Sequence, residues 1–83
     1  MTTRFLSNQK VEIDIHHMHK EEARRDIERF LTRANGSIKE VTVIHGCTSG
    51  TVLRDMVRKG LRHPRIKSKV VGLNDGITIL ILT

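Results

Sequence analysis

The chain has 83 residues, which makes one small domain with no room for a second, burying about 60–65% of its unfolded surface. Fifteen Lys and Arg against nine Asp and Glu leave a net charge of +6 and a pI near 10.3, so an acidic partner is expected, nucleic acid first. A single cysteine excludes an intrachain disulfide, no apolar run nears the roughly 18 residues of a membrane span, and two Phe with no Trp or Tyr exclude an aromatic base-stacking platform; a soluble, cytoplasmic protein without membrane contact is expected.

Residues 1–9 are a polar lead-in, mobile or docked through Phe5 and Leu6. Residues 10–15 alternate: Val11, Ile13 and Ile15 point one way, Glu12 and Asp14 the other, as in a half-buried strand. After the loop His16-His17-Met18-His19, residues 21–34 place Ala23, Ile27, Phe30, Leu31 and Ala34 on one helical stripe. Glu21 and Glu22 favour its start, and Gly36 is the expected left-handed cap.

Val41-Thr42-Val43-Ile44 is a strand that runs into His45-Gly46-Cys47-Thr48-Ser49-Gly50. The glycines permit a sharp turn or a close ligand approach, and Thr48, Ser49 and Thr51 are of the type that caps a helix. A helix over residues 51–62 follows, with Val52, Leu53, Met56, Val57 and Leu61 on its buried side; His63-Pro64 ends it. Its N-terminus would present unpaired N–H groups to a phosphate. The Gly-Lys-Ser/Thr ending of a Walker A loop is missing, which excludes a nucleotide triphosphate site of that kind. Residues 66–71 form a basic strand near an edge, Asn74-Asp75-Gly76 a turn, and residues 77–82, apolar almost throughout, an interior strand.

The order is β-α-β-α-β-β: an α/β two-layer sandwich in which both helices cover one face of a mixed four-stranded sheet. Parallel pairing of the first two strands would bring the His16-His17-Met18-His19 loop beside His45-Gly46. The uncovered face carries Glu12, Asp14, Thr42 and Ile44, with Leu80 and Leu82, and is open to dimerisation or a protein partner.

Asp14-Ile15-His16, Glu21-Glu22-Ala23, Ile44-His45-Gly46 with Ser49-Gly50, Leu53-Arg54, Gly76-Ile77-Thr78 and Leu82 together resemble the Smr (small MutS-related) domain over about residues 10–83. The resemblance rests on two motifs, Asp-Leu-His-Gly and His-Gly-x-Gly-Thr/Ser-Gly, in matching order and separation. It implies a sandwich like the C-terminal domain of bacterial translation initiation factor three, with the last strand beside the second. It also implies nucleic-acid binding, and in several relatives DNA nicking or RNA cleavage. The motif residues map to Asp14, His16, His45, Gly46 and Gly50. The glycine after the first motif histidine is His17 here, and Cys47-Thr48 replaces a basic residue and glycine.

The expected chemistry is phosphodiester cleavage in which Asp14, His16 and His45 are catalytic: one histidine moves a proton, another steadies the phosphate, and Asp14, at i and i+2 with His16, orients or charges it. His17, Gly46, Thr48, Ser49, Gly50, Arg54, Arg58, Arg62, Arg65 and Lys67, with Lys69 beside them, are expected to hold DNA or RNA. Alternatively Asp14 and His45 only bind loop backbone, the arginines are a solvated surface, and the chain binds without cutting. No cofactor is expected. His16, His17, His19, His45 and Cys47 are metal-ligand types, yet no pair has zinc-site spacing. Cys47 is simplest as a small filler of the turn.

Overall fold

The computed structural model describes residues 1–46, 50–71 and 74–83. The alternation beginning at Lys10 becomes β2 (Lys10–Asp14), with Val11 and Ile13 fully buried and Glu12 and Asp14 half-buried on the other face; β1, the strand before it, is described below. β3 (Glu40–Ile44) repeats the pattern with Val41 and Val43 and pairs parallel to β2, Ile13 opposite Val43. Two parallel neighbours need a crossover, and α1 (Lys20–Arg33) supplies it, burying Ala23, Ile27 and Leu31 at four-residue spacing against the sheet. His19 caps α1: its Nδ1 accepts the Glu21 N–H at 3.3 Å.

The far end of α1 departs from expectation. Ala34, in extended conformation, ends the helix, and Gly36 is not left-handed. The terminal carbonyls are satisfied from a distance instead. Arg65 Nη1 donates to Ala34 O at 2.8 Å and Leu31 O at 3.3 Å, and its Nη2 to Ile38 O at 3.2 Å and Asn35 O at 3.4 Å. A cation at a helix C-terminus also opposes the negative end of the dipole.

Among the described residues the sheet has five strands, not four, in the order β1-β2-β3-β5-β4. The extra one is β1 (Thr2–Phe5), which pairs antiparallel with β2 and turns the lead-in into an edge strand. Main-chain pairing holds it, with the Phe5 ring centroid 6.5 Å from that of Phe30, rather than a continuous apolar stripe. β4 (Ile66–Val71) is the opposite edge, and β5 (Ile77–Leu82) lies between it and β3, antiparallel to both.

β5 corrects the expected open face. Val41 faces Leu80 and Val43 faces Thr78, so Thr78, Leu80 and Leu82 point into the core, and Ile77, Ile79 and Ile81 point to the uncovered side. In a strand apolar on both faces, only the partner's register tells which residues point inward.

The second helix is also shorter than expected. Thr51 stands at its start without a side-chain cap, α2 spans Val52–Asp55, and the chain then widens into a π-helical segment, Met56–Gly60, closed by Leu61 N–H donating to Met56 O. Met56, Val57 and Leu61 are buried and Leu53 is half-buried as the apolar spacing requires, but Val52, expected on the same side, is 61% exposed. With one regular turn, α2 has little aligned dipole to offer a phosphate. No helix among the described residues is long and apolar enough to cross a membrane.

Candidate functional site

Because β2 and β3 are parallel, both end at the same edge of the sheet, and the loops that follow them meet there. They enclose a cleft of about 370 Å³. The loop after β2 contributes His16, His17 and Met18; the end of β3 contributes Ile44, His45 and Gly46; Gly50, Val52 and Leu53 close the third side.

Asp14 and His16 form a dyad. One oxygen of the Asp14 carboxylate, Oδ1, accepts from the His16 main-chain N–H at 3.0 Å and also from the ring Nδ1–H. Partial burial pushes the Asp14 carboxyl up, but these two hydrogen bonds and the charges of His16 and His17 outweigh it, leaving the carboxyl below its ordinary value. Asp14 therefore stays ionised, and its carboxylate accepts the hydrogen bond of the ring Nδ1–H. The other nitrogen, Nε2, has no partner among the described residues, and the side chain is about half exposed.

His17 stands in the left-handed region, φ 67°, the one described non-glycine residue to do so. That conformation explains why the resembled motif carries glycine at this position, and why a histidine, which tolerates it better than most residues, is strained here. Its ring meets that of His16 edge-on at 4.7 Å between centroids. Gly46, φ 77°, is left-handed as well, and a Cβ there would lie 3.5 Å from His16 Cβ. A side chain at Gly46 would be strained by that φ, although its Cβ would meet His16 at ordinary van der Waals distance.

His45 differs from His16 in every respect. It is 3% exposed, with Nδ1 3.0 Å from Gly46 O and Nε2 2.9 Å from the buried Thr78 Oγ1. Burial depresses its pKa first; the hydrogen bond to Gly46 opposes this, and the charges of Arg58 and Arg54 add to it. A neutral ring with both nitrogens engaged suits the holding of backbone better than the transfer of protons.

The expected basic residues divide sharply. Gly50 lines the cleft. Arg54 follows the cleft residue Leu53 but does not line the cleft itself, and its Nε lies 3.6 Å from Asp55. Arg58 is turned inward, donating Nε–H to Thr78 Oγ1 at 2.8 Å and Nη2–H to Ile77 O at 3.1 Å. Lys69 gives Nζ–H to Leu61 O at 2.6 Å and Arg58 O at 3.3 Å, and burial, then Arg62, holds its ammonium below the ordinary lysine value. Arg65 caps α1 at the opposite end of the sheet, and Lys67 lies exposed beside it at the start of β4. Arg62 is exposed, with no ion pair among the described residues. Thr48 and Ser49, with Cys47, lie outside the described residues.

Two features escaped the sequence reading. Thr78, a lone hydroxyl within an apolar strand, was the available signal for the buried link to His45. Lys20, Arg24 and Lys59 rim a second groove of about 550 Å³ between α1 and α2, assembled from distant segments. No three His, Cys, Asp or Glu side chains among the described residues are grouped to hold a metal ion.

The sequence matches the Smr domain family over residues 13–77. Among solved structures the fold is similar to the Smr domain of Thermus thermophilus MutS2, with a TM-score of 0.75 and 23% identity over 87% of this chain and 96% of that one. No curated protein matches the chain.

Proposed function

The chain belongs to the Smr domain family, and from that premise we propose that it binds nucleic acid at the carboxyl edge of β2 and β3 and cleaves a phosphodiester bond there with Asp14 and His16. The observation that carries the reading is the dyad. An ionised carboxylate fixes one ring nitrogen and leaves the other free at a cleft open to a polymer. In the proposed step His16 Nε2 removes the proton from an attacking hydroxyl, either a ribose 2′-OH or water. That oxygen bonds to phosphorus, the bond to the leaving oxygen breaks, and the leaving oxygen takes a proton from solvent. Asp14 stabilises the imidazolium so formed.

His17, Gly46 and Gly50 line the seat proposed for the phosphate, and His45 maintains its backbone. Arg54 and Arg62 supply attraction to the polymer that does not depend on its sequence, and Lys67, at the opposite end of the sheet, adds only to the overall positive charge. Arg58 and Arg65, whose guanidiniums already serve main-chain and threonine oxygens, are given no phosphate. A cytoplasmic setting is part of this reading, in keeping with a single cysteine.

The test is a cleavage and band-shift assay on labelled structured RNA, branched DNA and duplex DNA at low salt, with and without EDTA. Wild type should shift and cut at least one substrate, and His16→Ala should shift it without cutting. A 2′,3′-cyclic phosphate end identifies the ribose hydroxyl as nucleophile; a 5′-phosphate identifies water. Equal cutting by His16→Ala sinks the dyad mechanism, and binding without cutting by wild type reduces the proposal to a binding domain.

One observation favours a second reading, a protein-docking module or dimer. Ile44, Ile77, Ile79 and Ile81 form an apolar band on the face the helices leave uncovered, beside the exposed Val70. Apolar docking would persist at high salt, where phosphate binding weakens.

A further inference from the structure

We propose that Thr78 and Arg58 are positioning residues, which lock His45 into the single neutral tautomer that grips the Gly46 carbonyl and so fix the cleft wall beside His16. This rests on the binding reading above only for its consequence, not for the hydrogen-bond chain itself.

The directions of that chain follow from which atoms can donate. The Gly46 carbonyl only accepts, so His45 Nδ1 must carry a proton across the 3.0 Å between them. A guanidinium only donates, so Arg58 Nε–H occupies one lone pair of Thr78 Oγ1 at 2.8 Å. Thr78 has one proton to give, and His45 Nε2, 2.9 Å away, has a free lone pair once the ring proton is on Nδ1. Arg58 thus gives to Thr78, Thr78 to His45, and His45 to Gly46. A doubly protonated His45 would reverse the Thr78 link and leave that hydroxyl proton with no acceptor among the described residues. No buried side-chain nitrogen or oxygen among the described residues lacks a partner.

The chain ends on a peptide pinned from two sides. The Gly46 N–H and the His45 N–H both donate to Gly76 O, at 3.1 and 2.9 Å, and the His45 ring holds the Gly46 carbonyl. A Cβ at Gly76 would stand 3.4 Å from Gly46 Cα, so the two backbones are in contact. Gly46 lines the cleft with His16, and a Cβ added to it would reach van der Waals distance, 3.5 Å, from the Cβ of His16. Displacing Gly46 alters the cleft directly. The chain also accounts for a fully buried hydroxyl at Thr78, opposite Val43, where a valine would pack as well and bury no polar group. Arg58, anchored further by Nη2 to Ile77 O, draws the π-helical segment onto β5 rather than reaching for a ligand.

The experiment reads the ring nitrogens of His45 by two-bond 15N–1H correlation in histidine-labelled protein, the signals assigned by their loss in His45→Gln. Wild type should show Nδ1 protonated and Nε2 bare, measured without nucleic acid. Thr78→Val should yield mixed tautomers and weaken RNA-hairpin affinity by about tenfold, the scale of one lost hydrogen bond. Thr78→Ser should restore both, which a packing role would not do. Arg58→Gln should disturb the His45 signals as well. The proposal is overturned if wild-type His45 is protonated at Nε2, if Thr78→Val leaves tautomer and affinity unchanged, or if Arg58→Gln loses affinity with His45 undisturbed, the mark of a phosphate-gripping arginine. If wild type bound no nucleic acid, the functional reading would fail while the tautomer measurement still decided the hydrogen-bond chain.

Discussion

His17 offers the sharpest trial of how the cleft is built, because glycine and alanine at that position differ only in what the backbone tolerates. At φ 67° an L-residue bearing a Cβ is strained by about 1–2 kcal/mol, less for histidine than for alanine. Glycine relieves the strain but loses about 0.4–1 kcal/mol through its freer unfolded chain. His17→Gly should therefore be more stable than His17→Ala by about 1 kcal/mol, and equal to or slightly more stable than wild type. For a domain of this size that is a gap of about 4–8 °C in Tm between the two variants. Thermal and urea unfolding at one pH measure it, and the two probes should agree. Both variants lack the imidazole and its edge contact with His16, so both should lose nucleic-acid affinity equally despite opposite effects on stability. Strain retained at a working position is the expected pattern. An alanine variant as stable as the glycine variant would show that the left-handed backbone costs nothing here, and the reasoning would be wrong.

Three other outcomes are expected. Arg65→Leu should destabilise the fold by about 2–3 kcal/mol in urea, since several carbonyls at the end of α1 lose a charged donor, while RNA affinity of the folded fraction stays as in wild type. His45 has a folded pKa below its unfolded value of about 6.5, so its contribution is complete above that pH. It is lost as pH falls from there through the folded pKa, by at most about 1.4 kcal/mol per pH unit, and His45→Gln should flatten the stability profile in that window. Arg62→Ala should leave stability unchanged and reduce the slope of log affinity against log salt by about 1, the signature of one phosphate contact.

The fold was legible where polarity alternates or periodicity is strict. Val11 and Ile13, Val41 and Val43, and the Ala23-Ile27-Leu31 stripe each find the face their spacing dictates. β5 was placed correctly beside β3, but its five apolar residues occupy both faces, so its inward set became visible only from its register against Val41 and Val43. β1 escaped because an edge strand held by main-chain bonds needs no apolar pattern. The π-helical widening at Met56–Gly60 preserves the apolar spacing that marks an ordinary helix, and so leaves no trace in it.

At the site, parallel pairing of β2 and β3 sufficed to bring the two histidine loops together. What each side chain does there depends on partners far along the chain. His45 and His16 each follow an isoleucine at the end of a strand, yet His45 is buried against Thr78, 33 residues on, while His16 faces the cleft. Arg58 and Arg65 read as surface charge until the acceptors on β5 and at the end of α1 are seen.

The most direct measurement of the central claim is an amide titration of 15N-labelled protein with a short RNA hairpin and, separately, a branched DNA, at low and at high salt. The account predicts shifts at His16, His17, Gly46, Gly50 and Leu53 that saturate at low salt and fade at high salt. Shifts confined to Ile77, Ile79 and Ile81, or none at the cleft at any concentration, would contradict it.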